Sequence, residues 1–139
     1  MCDALAAHAI AETIQHDDLH DGQVFVRGNE YVVADWAESC ISHPFFTMAV
    51  TLEGNLAWGL DDIRNSVDVA PFADAYLEPF SVYGPLPQLK VALATALRLG
   101  WICRALTAQR WASALVGPGR DTHLEGVAIR LRMFLSDPS

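Results

Sequence analysis

Residues 16 to 36 read HDDLHDGQVFVRGNEYVVADW, and the order of signals within them decides how this part of the chain folds. A polar loop at 15–23 carries Asp17, Asp18, Asp21, His16, His20 and Gly22. Two short β-prone runs follow it, Val24-Phe25-Val26-Arg27 and Tyr31-Val32-Val33-Ala34, and Gly28-Asn29 between them is a tight-turn signal. The pattern predicts a hairpin over 24–35. A hairpin returns its outer ends to one another, so Asp35, at the exit of the second strand, is expected beside Gly22 and Gln23.

Working outward, residues 3–14 (DALAAHAIAETI) are Ala-rich and predict a short helix. On the other side, Ser42-His43-Pro44 has the form of a helix start, with Pro44 where a missing amide costs nothing. The apolar stretch 45–56 is expected to pack inside. A second helix is expected over 61–76, ending near Glu78-Pro79, and a turn at Gly84-Pro85-Leu86-Pro87. Residues 88–115 predict one long helix or two, with Gly100 as the weak point. Gly117-Pro118-Gly119 breaks the pattern. A last helix, capped by Asp121 or by a Thr122/Glu125 capping box, is expected to run to about Leu135. The fold class is therefore mainly α with a small β-hairpin. Residues 1–139 are read as a single domain: loop 15–23, hairpin 24–35 and helical body 42–135.

At 139 residues the chain is long enough to bury a core without staples, and 52% hydrophobic with 19% charged residues marks a folded chain. The net charge of −8, with only 9 Lys and Arg, argues against nucleic acid as a partner. A negative field suits a cationic ligand better. Cys2, Cys40 and Cys103 are odd in number and lack paired spacing, so neither a disulfide framework nor a zinc knuckle is indicated. They are expected as small, buried, reduced side chains of a cytoplasmic protein. No basic region precedes an apolar run at the start, as a signal peptide requires. The longest apolar stretch, 91–106, contains Arg98 and Arg104 and is not expected to span a membrane.

The loop and hairpin place oxygen ligands and carboxylates in one region. Phosphoryl transfer needs a carboxylate to take the proton of an attacking hydroxyl, and hard oxygen ligands for Mg²⁺. Asp18 suits the first role, and the Gln23 side-chain oxygen with Asp35 the second. A rival reading uses His16 and His20, four residues apart, with the aspartates as a metal-dependent hydrolase site holding zinc. Glu38, Asp61 and Asp62 form a candidate acidic rim for a cationic substrate, and Trp36 is read as a packing residue.

His16-Asp17-Asp18-Leu19-His20-Asp21-Gly22-Gln23 resembles the His-Gly-Asp-Leu-His-Pro-Gly-Asn loop of the aminoglycoside phosphotransferase and choline kinase-like family. Val33-Ala34-Asp35-Trp36 resembles that family's second motif, and Ser42-His43-Pro44-Phe45-Phe46 the segment where a Pro opens a helix. The resemblance implies a protein kinase-like C-terminal lobe that transfers the γ-phosphate of ATP, with Mg²⁺, to a hydroxyl of a small molecule such as an aminoglycoside. In its terms Asp18 matches the catalytic base, Asp35 and Gln23 match the metal ligands, and His16 and His20 support the loop. Gln23 stands where Asn is usual, Asp21 replaces a Pro, and Thr47 aligns with an Asp that braces the loop.

Such an enzyme grips ATP with an N-terminal lobe that supplies a β-sheet and a strand Lys. Here Lys90 is the single lysine, far downstream of the loop, and there is no Gly-rich phosphate loop. The expectation is a C-terminal lobe with its N-terminal lobe absent, either as a fragment of a larger enzyme or as a non-catalytic binding module. Its expected partners are a small-molecule hydroxyl substrate and, over the bare surface, a missing lobe or a second copy.

Overall fold

The computed structural model describes residues 1–56, 63 and 65–136. Their fold is mainly helical, with two small antiparallel sheets of two strands each. The chain divides into two compact units, Met1–Leu97 and Arg98–Ser139.

The first unit opens with α1 (Cys2–Ala6), shorter than the helix expected over 3–14. Ala9 takes a positive φ of 52°, which no helix continues through. Residues 13–15 become strand β1 (Thr13–Gln15) instead, paired with β4 (Cys40–Ser42) in the register Thr13↔Ser42, Ile14↔Ile41, Gln15↔Cys40. The β-branched Thr13 and Ile14 suit that pairing. The expected hairpin is present as β2 (Val24–Arg27) and β3 (Glu30–Val33), with Val24 opposite Val33 and Arg27 opposite Glu30. Gly28 supplies the turn at φ 64°.

After β4 the chain turns at His43-Pro44 and winds into a π-helix over Ala49–Asn55. Its apolar side fills the core as the composition of 45–56 predicts: Phe45 and Ala49 are fully buried, and Met48 and Leu52 nearly so. Of the helix expected over 61–76, Asp61 and Asp62 lie outside the described residues. Residues 65–69 are not helical, and Asn65 has a φ of 64°. The helix α2 (Ala70–Leu77) starts where the Asp68 carboxylate accepts the Ala70 N–H at 3.0 Å, and a 3₁₀ segment, Glu78–Tyr83, continues it. Phe45 packs edge-on against Tyr76 and Phe80, ring centroids 5.9 and 4.9 Å away. Leu77 and Leu89 are buried as well.

Helix α3 (Leu86–Ala114) is one uninterrupted helix of 29 residues, so Gly100 does not break it, and the boundary between the units falls inside it. By length and composition the whole helix is long and apolar enough to cross a bilayer, a test that a core helix also passes. Leu89, Ala92, Leu93 and Ala96, and then Trp101, Ala105, Ala108 and Ala112, are nevertheless buried within protein.

In the second unit α4 (Pro118–Leu135) runs antiparallel to the end of α3: Arg98 donates to the Phe134 carbonyl at 3.4 Å, and Trp111 stacks on His123. The expected capping box does not form. The helix starts at Pro118 after Gly117, whose φ is 69°, and the Thr122 hydroxyl donates back to the Pro118 carbonyl at 3.1 Å. The cysteines are free, but Cys2 and Cys40 are exposed rather than buried.

Candidate functional site

The loop before β2 is held by its own side chains. Asp17 takes a left-handed conformation, φ 65°, and this turns the chain between β1 and the loop. The left-handed region is open mainly to Gly, Asn and Asp, so Asp17 suits the turn. His16 is buried, and its Nε2–H donates to the Ala34 carbonyl at 2.7 Å. Its Nδ1 faces the Asp18 N–H at 3.4 Å. One neutral imidazole thus ties the backbone at Asp18 to the residue preceding Asp35, and the Trp36 ring lies 4.9 Å from it.

His20 is used differently. Its Nδ1 accepts the Gly22 N–H at 3.1 Å and caps a 3₁₀ turn, Asp21–Gln23. That leaves Nε2 to carry the proton, 4.0 Å from Asp18 Oδ2. A Cβ at position 22 would come within 2.9 Å of the His20 ring, which is the reason for Gly22. Both histidines therefore act as loop supports. With both nitrogens of His16 engaged, no lone pair on it is left for zinc, and among the described residues no three His, Cys, Asp or Glu side chains are grouped to hold a metal.

The hairpin delivers Asp35 where the turn chemistry predicts. Ala34 N–H donates to the Gln23 carbonyl at 2.9 Å, extending the ladder by one step to the loop. Asp35, itself left-handed at φ 59°, ends the strand, and its Oδ2 accepts from Gln23 Nε2 at 3.3 Å. Both side chains of this pair reach solvent. Asp18 is about one-third exposed in the same loop. Of the acidic rim, Asp61 and Asp62 lie outside the described residues, and Glu38 sits in a 3₁₀ turn, Trp36–Glu38, directly after Asp35.

The turn and π-helix that follow β4 brace the loop from behind. The Asp17 N–H donates to Thr47 Oγ1 at 3.1 Å, and the Thr51 hydroxyl donates to the Leu19 carbonyl at 2.8 Å. Asn55 Nδ2 donates to Asp21 Oδ1 at 3.0 Å. Thr51 and Asn55 were not singled out by sequence reasoning. The available signal was the spacing of four between the polar residues at 47, 51 and 55 in a mainly apolar run that also holds Glu53.

No family model, curated protein or solved structure matches the chain. A partly exposed carboxylate sits in a braced loop, and an oxygen-bearing amide beside a second carboxylate stands at the mouth of the adjoining hairpin.

Proposed function

We propose that this chain is the C-terminal lobe of a small-molecule phosphotransferase, transferring the γ-phosphate of ATP to a substrate hydroxyl such as that of an aminoglycoside. The observation that carries the reading is the Gln23–Asp35 contact at 3.3 Å, tied through His16 and Ala34 to the backbone of Asp18. Turning the Gln23 amide over puts Oε1 at the same distance from Asp35. Adjacent ligands of an octahedral Mg²⁺ with bonds of about 2.0–2.1 Å stand about 3 Å apart, so the pair fits that ion. Two protein ligands suffice, because Mg²⁺ keeps waters and substrate phosphates for the rest.

In this mechanism Asp18 accepts the proton of the attacking hydroxyl, and Gln23 and Asp35 would hold the metal. His16, buried and doubly hydrogen-bonded, fixes the loop relative to the strand exit. Mg²⁺ bound with ATP would supply neutralisation of the charge on the transferring phosphoryl group. The Gln23 chain, one methylene longer than Asn, has its oxygen within reach because the 3₁₀ turn draws its backbone towards the His20 carbonyl.

One observation favours a second reading, a binding module without catalysis. The single lysine, Lys90, is engaged by Asp74 at 2.7 Å, away from the loop, and so does not serve a nucleotide there.

Mg²⁺-ATP binding by calorimetry, on this chain and on Asp35→Asn, separates the possibilities. The proposal expects binding that falls at least about tenfold in the variant, the cost of one charge-assisted ligand. Equal affinity would remove the metal assignment. Phosphotransfer to a hydroxyl acceptor at the full rate in Asp18→Asn would remove the base. Binding without any turnover favours the second reading.

A further inference from the structure

We propose that Thr51 and Asn55 are positioning residues that hold the Asp18 loop in register, an inference that rests on the phosphotransferase reading for its catalytic meaning. Three side chains four residues apart, Thr47, Thr51 and Asn55, meet three loop residues two apart, Asp17, Leu19 and Asp21. Each rung uses a different group: a backbone N–H, a backbone carbonyl and a side-chain carboxylate. Asp18 lies between the first two rungs, so its backbone is fixed on both sides while its own carboxylate stays accessible.

The winding of the segment explains how one face reaches so far along the loop. In an α-helix, residues four apart overshoot a full turn by about 40°, so a residue eight along would point about 80° away. A π-helix closes its hydrogen bonds one residue later and has a wider turn, which reduces that drift. The π-helix spans Ala49–Asn55, the stretch that carries the second and third rungs. Such windings are rare and concentrate at functional sites. The opposite face is anchored by Ala49 and Leu52, both buried, so the ladder stands on the core rather than on a loose loop.

The rungs differ in burial. The Thr47 bond is buried, the Thr51 bond partly buried and the Asn55 bond exposed. Losing Thr51 should therefore loosen the loop more than losing Asn55. The test is ¹⁵N relaxation of the amides of residues 18–22 in the full chain, on the wild type, Thr51→Val, Thr51→Ser, Asn55→Ala and Thr51→Val/Asn55→Ala. The wild-type loop is expected to be rigid, with order parameters of about 0.85, falling below about 0.6 in the double variant. Amides of the core residues Phe45 and Leu52 are expected to keep their values, and Thr51→Ser to keep the loop rigid because it retains the hydroxyl.

A loop equally rigid in the double variant would overturn the proposal, as would Thr51→Ser behaving like Thr51→Val. Should Thr51→Val fail to fold, Asn55→Ala alone decides at Asp21, where the exposed rung contributes little to folding. In a phosphotransfer assay the double variant is expected to lose about tenfold or more in kcat with KM nearly unchanged, the signature of a misplaced base. A loop that loosens in the variants as expected, in a protein whose wild type shows no phosphotransfer, would uphold the bracing and remove the phosphotransferase reading. An active enzyme whose kcat ignores both substitutions would do the reverse.

Discussion

At position 43 an imidazole is held against Phe45 and Phe46, ring centroids 4.9 and 5.7 Å away. Its Nδ1 accepts the Phe45 N–H at 3.2 Å, while Nε2 is buried without a partner among the described residues. Burial, and after it the nearby His8, lowers the His43 pKa from 6.5 to about 4. Between those values the unfolded chain binds a proton that the folded chain refuses. The stability this site contributes is therefore complete above pH 6.5 and is lost as pH falls towards 4. His43→Phe removes the titration and keeps the ring stacking. Its melting temperature is expected to fall less than that of the wild type between pH 6.5 and 5. An NMR titration that finds His43 protonating near 6.5 would refute the assignment.

The elements around that residue depend on one bond across the core. Tyr76 on α2 donates its hydroxyl to the Pro44 carbonyl at 2.7 Å, and burial raises its pKa to about 12, so it remains a donor at every physiological pH. Tyr76→Phe leaves a buried carbonyl without its partner and should cost about 1–2 kcal/mol. A larger loss, about 3–5 kcal/mol, is expected for Phe45→Ala, which empties the centre of the same cluster. Chemical denaturation measures both, and a Tyr76→Phe variant as stable as the wild type would show that the bond is replaced by water. Gly28-Asn29 fixed the hairpin, and with it the meeting of Gln23 and Asp35, because a two-residue turn leaves one register. The pairing of β1 with β4 was not legible, since strands of three residues carry no periodicity and their partners lie 25 or more residues apart. The π-helix was equally hidden: an apolar run predicts burial but not the winding that aligns Thr51 and Asn55. In the loop, residue types pointed to the chemistry of Asp18, while the bracing that holds it came from residues 30 or more positions away.

Across the whole molecule a charge of −8 acts against a set of bare apolar strands. The cross-strand pair Val26 and Tyr31 is 72% and 79% exposed, and Ile14 and Ile41, opposite one another on β1 and β4, are 68% and 73% exposed. Two-stranded sheets also leave unpaired edges that template further pairing. Like charge keeps such surfaces apart in dilute buffer, where the screening length is about 30 Å at 0.01 M salt. At 0.15 M it is about 8 Å, and repulsion between copies weakens. The chain is therefore expected to self-associate as salt rises at pH 7, and more strongly near its isoelectric point of about 4.8. At pH 7 His43 is neutral in the folded chain, so its titration does not enter that comparison. Val26→Thr/Ile41→Thr keeps the charge and the β-branched shape while removing apolar surface, so it should remain monomeric at 0.15 M salt in sedimentation velocity. Equal association of wild type and variant would place the contact elsewhere, and a wild type monomeric under all three conditions would mean that these strands do not adhere.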